Sequence, residues 1–84
     1  MEVEIKTVEI SKPGCYILHF IDSNNNPKFL YFTDRVHKYW ERQLQQSFNP
    51  RPGMIVQVTQ TSLPDFKDPS KFKHFYKILS IKQL

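Results

Sequence analysis

The run HFIDSNNNPKFLYF, residues 19 to 32, sets two apolar segments on either side of three asparagines. Asparagine tolerates the left-handed backbone that closes a tight hairpin. A hairpin constrains a short chain strongly, because side chains alternate between faces and a one-residue slip exchanges the two. With a three-residue loop at Asn24, Asn25 and Asn26, Ser23 faces Pro27, Phe20 faces Leu30 and Leu18 faces Phe32. Tyr16, Leu18, Phe20, Leu30 and Phe32 then form one apolar face, the expected core. A loop of two or four residues would set His19 among Leu30 and Phe32, a poorer core. The opposite face carries Ile17, His19, Ile21, Phe29, Tyr31 and Thr33. A strand that only covers a core is polar at every second residue. This second face is aromatic instead, which makes it a candidate binding surface.

The flanking segments supply the remaining elements. Val3, Ile5, Val8 and Ile10 read as a first strand whose apolar parity changes between Ile5 and Val8, the mark of a bulge or bend. Lys12-Pro13-Gly14 is a turn, Cys15 to Ile21 the second strand, and Lys28 to Thr33 the third. Thr33 and Asp34 offer an N-cap. Val36, Tyr39, Trp40, Leu44 and Phe48 follow at helical spacing, predicting a helix of about 14 residues. Asn49-Pro50-Arg51-Pro52-Gly53 stops it. Met54 to Thr59 alternates as a fourth strand, Leu63 to Lys73 reads as a long loop, and His74 to Ile81 as a fifth strand. Residues 1–84 thus form one domain, mainly β with one helix, in the order β-β-β-α-β-β. An open antiparallel sheet with the helix on one face is the alternative architecture.

This order resembles the OB-fold, a five-stranded Greek-key barrel with a helix between strands three and four. PGMIVQV is similar to the entry into strand four of such barrels, and HFYKILSI to their closing strand. The resemblance covers nearly the entire chain at the level of element order. It implies a ligand face on strands two and three, flanked by the loops joining strands one to two and four to five. Bases stack on aromatics there while Lys and Arg follow the phosphates.

Charge agrees with a polyanionic partner. The net +4 is uneven: residues 1–34 hold three lysines against five carboxylates, and residues 35–84 hold nine Lys or Arg against three. In the stretch LPDFKDPSKFKHFYK, residues 63 to 77, lysines alternate with aromatic rings. Cations beside rings match a stacked, charged single strand; the alternative is a proline-pinned loop whose phenylalanines fold back on the barrel, and Lys71 and Lys73 stay in water in either case. Arg35, Lys38 and Arg42 fall on the helix face opposite the apolar stripe and read as solvated, with Trp40 capping the barrel bottom.

Other chemistries lack their residues. One cysteine, Cys15, permits no internal disulfide or cysteine zinc site and reads as a small buried hydrophobe. Two glycines, Gly14 and Gly53, cannot build a Gly-rich phosphate loop. His19, His37 and His74 lie on three elements without metal-ligand spacing, so no metal, cofactor or catalytic set is expected. MEVEIKTVEIS has neither the basic start nor the apolar core of a signal peptide, and no apolar run nears the ~20 residues of a membrane span. An intracellular, cytoplasmic place is expected.

The expected function is binding of single-stranded nucleic acid, DNA more than RNA, with low sequence preference. Tyr31, Phe29 and His19 would stack on bases; Lys28, Lys71, Lys73, Lys77 and Lys12 would neutralise phosphates. In fold and charge the chain resembles the small single-strand-binding proteins of phages, viruses and plasmids. Its acidic first strand (Glu2, Glu4, Glu9) departs from that pattern. The alternative is a protein-interaction module whose aromatic face forms a homodimer or meets a partner such as a replication protein.

Overall fold

A computed structural model describes residues 1–83. Five strands form one antiparallel sheet in the order β3-β2-β1-β4-β5: β1 (Glu2–Lys12), β2 (Cys15–Ile21), β3 (Pro27–Phe32), β4 (Ile55–Pro64) and β5 (Phe72–Gln83). One helix, α1 (Asp34–Leu44), joins β3 to β4.

β1 serves both halves of the sheet. Its first residues pair with β4, Val3 opposite Val56, and the rest pairs with β2 from Ile5–Phe20 onward. The register shift between Ile5 and Thr7 is the bulge foreseen from the parity change. It lets Val3, Ile5 and Val8 all pack inward, the first two buried and Val8 against the core cluster. The edge strands β3 and β5 approach each other. No ladder joins them among the described residues, so the sheet is not closed there.

The core is Val3, Ile5, Leu18, Phe20, Leu30, Phe32, Met54, Val56, Val58 and Ile78. It contains every residue assigned to the inner face of the β2–β3 hairpin, with Tyr16 packed at its margin. The loop itself differs from expectation. Ile21 faces Pro27 and Phe20 faces Lys28. The three loop residues are Ser23, Asn24 and Asn25, not Asn24 to Asn26. Asp22 causes the displacement. Its Oδ1 accepts the amides of Asn24 and Asn26 at 2.9 and 2.8 Å, while its carbonyl accepts Asn25 N–H at 3.0 Å. Asn25 takes the left-handed conformation at φ 63°. Because each pairing moved by two residues, both faces kept their members.

α1 is shorter than foreseen, 11 residues. Thr33 caps it, and Gln45 ends it in the left-handed region at φ 57°. Gln45 N–H donates to Arg42 O and Gln46 N–H to Glu41 O, a Schellman closure. Val36 and Trp40 pack on the core as foreseen, and Phe48 does so from beyond the helix end. Tyr39 does not; half of it faces water. His37 takes the inner place instead, ringed by Tyr16, Phe32 and Phe48 at centroid distances of 5.4–5.8 Å. Its Nε2 meets Phe48 O at 2.6 Å, and Glu41 Oε2 accepts Phe48 N–H at 3.1 Å. Two polar side chains thereby tie the post-helix segment to the helix. At the other end, Gly14 (φ +80°) leaves room for Asp34, whose Oδ1 would lie 3.1 Å from any Cβ there. The β1–β2 turn thus lies close against the start of α1.

The largest difference lies in residues 63–73. The expected long loop is mostly ribbon: β4 and β5 stay paired through Thr61–Phe75, Ser62–His74, Leu63–Lys73 and Pro64–Phe72. Threonine, phenylalanine and tyrosine favour the pleated conformation, and Pro64 is tolerated at the strand's last residue. None of residues 59–75 is buried, so the ribbon projects as an arm. A compact chain of this length has a radius of gyration of about 12 Å; the arm raises it to 13.3 Å.

Candidate nucleic-acid interface

The outer face of β2 and β3 is built by alternation alone. Inward Leu18, Phe20, Leu30 and Phe32 force Ile17, His19, Ile21, Phe29 and Tyr31 outward. His19 stands opposite Phe29, and Ile17 opposite Tyr31. The three rings form a row. His19 and Phe29 have centroids 6.3 Å apart at 47°, and Phe29 and Tyr31 are 5.5 Å apart at 86°. Phe29 and Tyr31 meet edge-to-face, and His19 tilts against Phe29. Tyr31 is 62% and Phe29 50% exposed, so the row is not covered by the protein's own chain.

β1 contributes Thr7 and Glu9 beside β2, opposite His19 and Ile17. Glu9 Oε1 lies 3.2 Å from His19 Nε2. The carboxylate orients the imidazole and places one negative charge at the margin of the rings. In the sequence Glu9 is only part of an acidic strand; its ladder position beside Ile17 is what brings it here.

The lysines divide. Lys28 opposes Phe20 and shares its side of β3 with Leu30, so it lies on the inner side at the rim, half-buried and away from the ring row. Lys12 is exposed at the end of β1, opposite Cys15. Lys73, Phe75 and Lys77 alternate on one face of the arm, with Leu63, Thr61 and Thr59 across from them. Asp65 N–H donates to Lys71 O at 2.8 Å, which continues the ladder and sets Lys71 in the same series. Phe72, His74 and Tyr76 take the other face, where Tyr76 meets core Phe20 edge-on at 5.1 Å. The lysine series is therefore on the outer side of the sheet, as is the ring row.

The arm's phenylalanines do not fold back. Phe66 is 99% exposed, and Leu63 and Phe72 are also largely in water. Asp65 and Asp68, which read as mere charge dilution, shape the tip. Asp65 Oδ1 accepts Lys67 N–H at 2.8 Å, and Asp68 Oδ1 accepts the Ser70 amide and hydroxyl at 3.2 and 2.6 Å. These local turns present Phe66 outward.

Cys15 is buried as foreseen. Among the described residues no group of His, Cys, Asp and Glu could hold a metal ion, and no helix is long and apolar enough to cross a membrane. Comparison of the chain with protein-family models, curated proteins and solved structures gives no match.

Proposed function

We propose that this protein binds single-stranded nucleic acid, DNA in preference to RNA, with low sequence preference and no catalytic step. The observation that carries the reading is the exposed row His19–Phe29–Tyr31 on the same side of the sheet as Lys71, Lys73 and Lys77. Every base has a π-face, so stacking on such rings is tolerant of sequence and contributes about 1–3 kcal/mol per base. Lysines on that side of the sheet release counterions from the phosphates they meet. Lys12 flanks the first turn and adds to the same field, whereas Lys28 acts only from the rim. An OB-fold-like barrel belongs to this reading. It is supported by β1 shared between two half-sheets and by the approach of β3 to β5.

Binding of labelled oligo-dT, titrated with salt, tests the proposal. Affinity is expected to fall on a log–log plot with a slope of about −0.7 per phosphate contacted. Replacing Tyr31 and Phe29 together by alanine is expected to weaken binding by at least about tenfold. No binding at low salt, or full affinity in the double variant, overturns the reading. Competition with oligo-U at matched length decides DNA against RNA.

A second reading, a protein-interaction module, is favoured by the apolar residues left in water on the arm, Leu63, Phe66 and Phe72. Patches of this kind also mark protein contacts. Sedimentation distinguishes the two: a stable dimer dispersed by Tyr31→Ala or Phe66→Ala, with no oligonucleotide affinity, supports the module.

A further inference from the structure

We infer that the outer face of α1 is a second phosphate-binding surface, separate from the ring row. The inference rests on the nucleic-acid reading and extends it to a surface which that reading does not use. Val36, Trp40 and Leu44 turn toward the body of the protein, none of them more than partly exposed. At 100° per residue the opposite line of the helix carries Arg35 and Arg42, with Lys38 and Tyr39 on its two flanks. The two arginines stand two turns apart, about 10.5 Å along the axis. With Asp34 these residues line a shallow depression of about 370 Å³.

Three features set this surface apart from an ordinary solvated face. The first is uncompensated charge. Lys38 Nζ is paired with Asp34 Oδ2 at 3.1 Å, but neither Arg35 nor Arg42 has a carboxylate partner among the described residues. The second is a local conflict. Arg35 lies in the first helical turn, where the helix dipole is positive and a cation is disfavoured. Asp34 in the same turn offsets part of that conflict, and local conflicts of this kind are expected at functional sites. The third is a fixed ring. Tyr39, 49% exposed, is held edge-on to Trp40 at 5.2 Å and 83°, and Trp40 is itself packed on the core. Two free guanidiniums beside an anchored aromatic suit a phosphodiester chain: the forked donors take phosphate oxygens, and the ring offers a platform for a base. A strand held on the sheet would gain a second hold by running over this helix.

The test is the salt dependence of oligo-dT binding by Arg35→Ala/Arg42→Ala, beside wild type and the charge-keeping Arg35→Lys/Arg42→Lys. Loss of two phosphate contacts is expected to make the log–log slope shallower by about 1.4. The lysine variant should retain most of the wild-type slope. The alanine variant should melt close to wild type, because it removes one cation from the unfavourable end of the dipole, Arg35, and one from the favourable end, Arg42. Tyr39→Ala is expected to lower affinity without altering the slope. A wild-type protein that binds while the alanine variant keeps an unchanged slope overturns this surface alone. A wild-type protein that does not bind at all overturns the function proposed above together with it.

Discussion

Single residues decide how well the ring row serves a polyanion. Among the described residues Glu9 is the one carboxylate shown in contact with it, held against His19 at 3.2 Å. A phosphate approaching the rings meets that charge in a well-solvated setting, where a unit interaction at ~4 Å costs about 1 kcal/mol. Glu9→Gln keeps an acceptor for the imidazole and removes the charge. Oligo-dT affinity is expected to rise about two- to fivefold at low salt, with the gain vanishing at high salt as screening takes over. Fluorescence anisotropy at two salt concentrations checks this; an unchanged affinity at low salt means that the strand does not pass Glu9. Gln45 offers a test of local structure. It closes α1 in the left-handed region, where a side chain is strained and glycine is not. Gln45→Gly is therefore expected to raise stability by about 0.5–1 kcal/mol in urea unfolding.

At the scale of elements, the arm is the part least bound to the rest. Along β4, Val56 and Val58 are fully buried, whereas nothing from Thr59 to Pro64 is. A two-stranded ribbon with no covered face is marginally stable. Amide hydrogen exchange is expected to show slow exchange at Val56 and Val58 and loss of protection beyond Thr61, with the partner amides of β5 following the same gradient. Uniform protection along both strands would mean that the arm is covered in solution, which favours the protein-interaction reading. The sequence disclosed the two faces of the hairpin because parity survives a shift of two residues, so misplacing the loop by one position at Asp22 left Phe20 inside and Tyr31 outside. It did not disclose the arm. Proline, lysine and aspartate between Leu63 and Lys73 signal a loop locally, and the ladder that extends both strands depends on long-range register. His37 was hidden for a related reason. Its place among Tyr16, Phe32 and Phe48 follows from the early end of the helix at Gln45, which folds Phe48 back toward it, and helical spacing alone points to Tyr39.

For the whole molecule, small size couples stability to binding. A domain of this length is held by only about 4–12 kcal/mol. Its core depends on a few large residues such as Phe32, which is wholly buried and in ring contact with Tyr16, His37 and Phe48. Phe32→Ala is expected to cost about 3–5 kcal/mol, which at the low end of that margin leaves much of the protein unfolded. The same narrow margin makes ligand binding visible as heat resistance. A ligand that prefers the folded state at 100 times its Kd adds about 2.7 kcal/mol. In a domain this small each kcal/mol moves Tm by about 4–8 °C, so saturating oligo-dT should raise Tm by about 10–20 °C at low salt. Since the basic excess lies in residues 35–84, on the arm and α1, that gain should shrink steeply as salt rises. A protein-interaction module predicts the reverse pattern: a Tm that rises with protein concentration, as association buries the arm, and that ignores the oligonucleotide. Melting curves over a grid of protein, oligonucleotide and salt concentrations therefore separate the two functions without requiring any variant to fold.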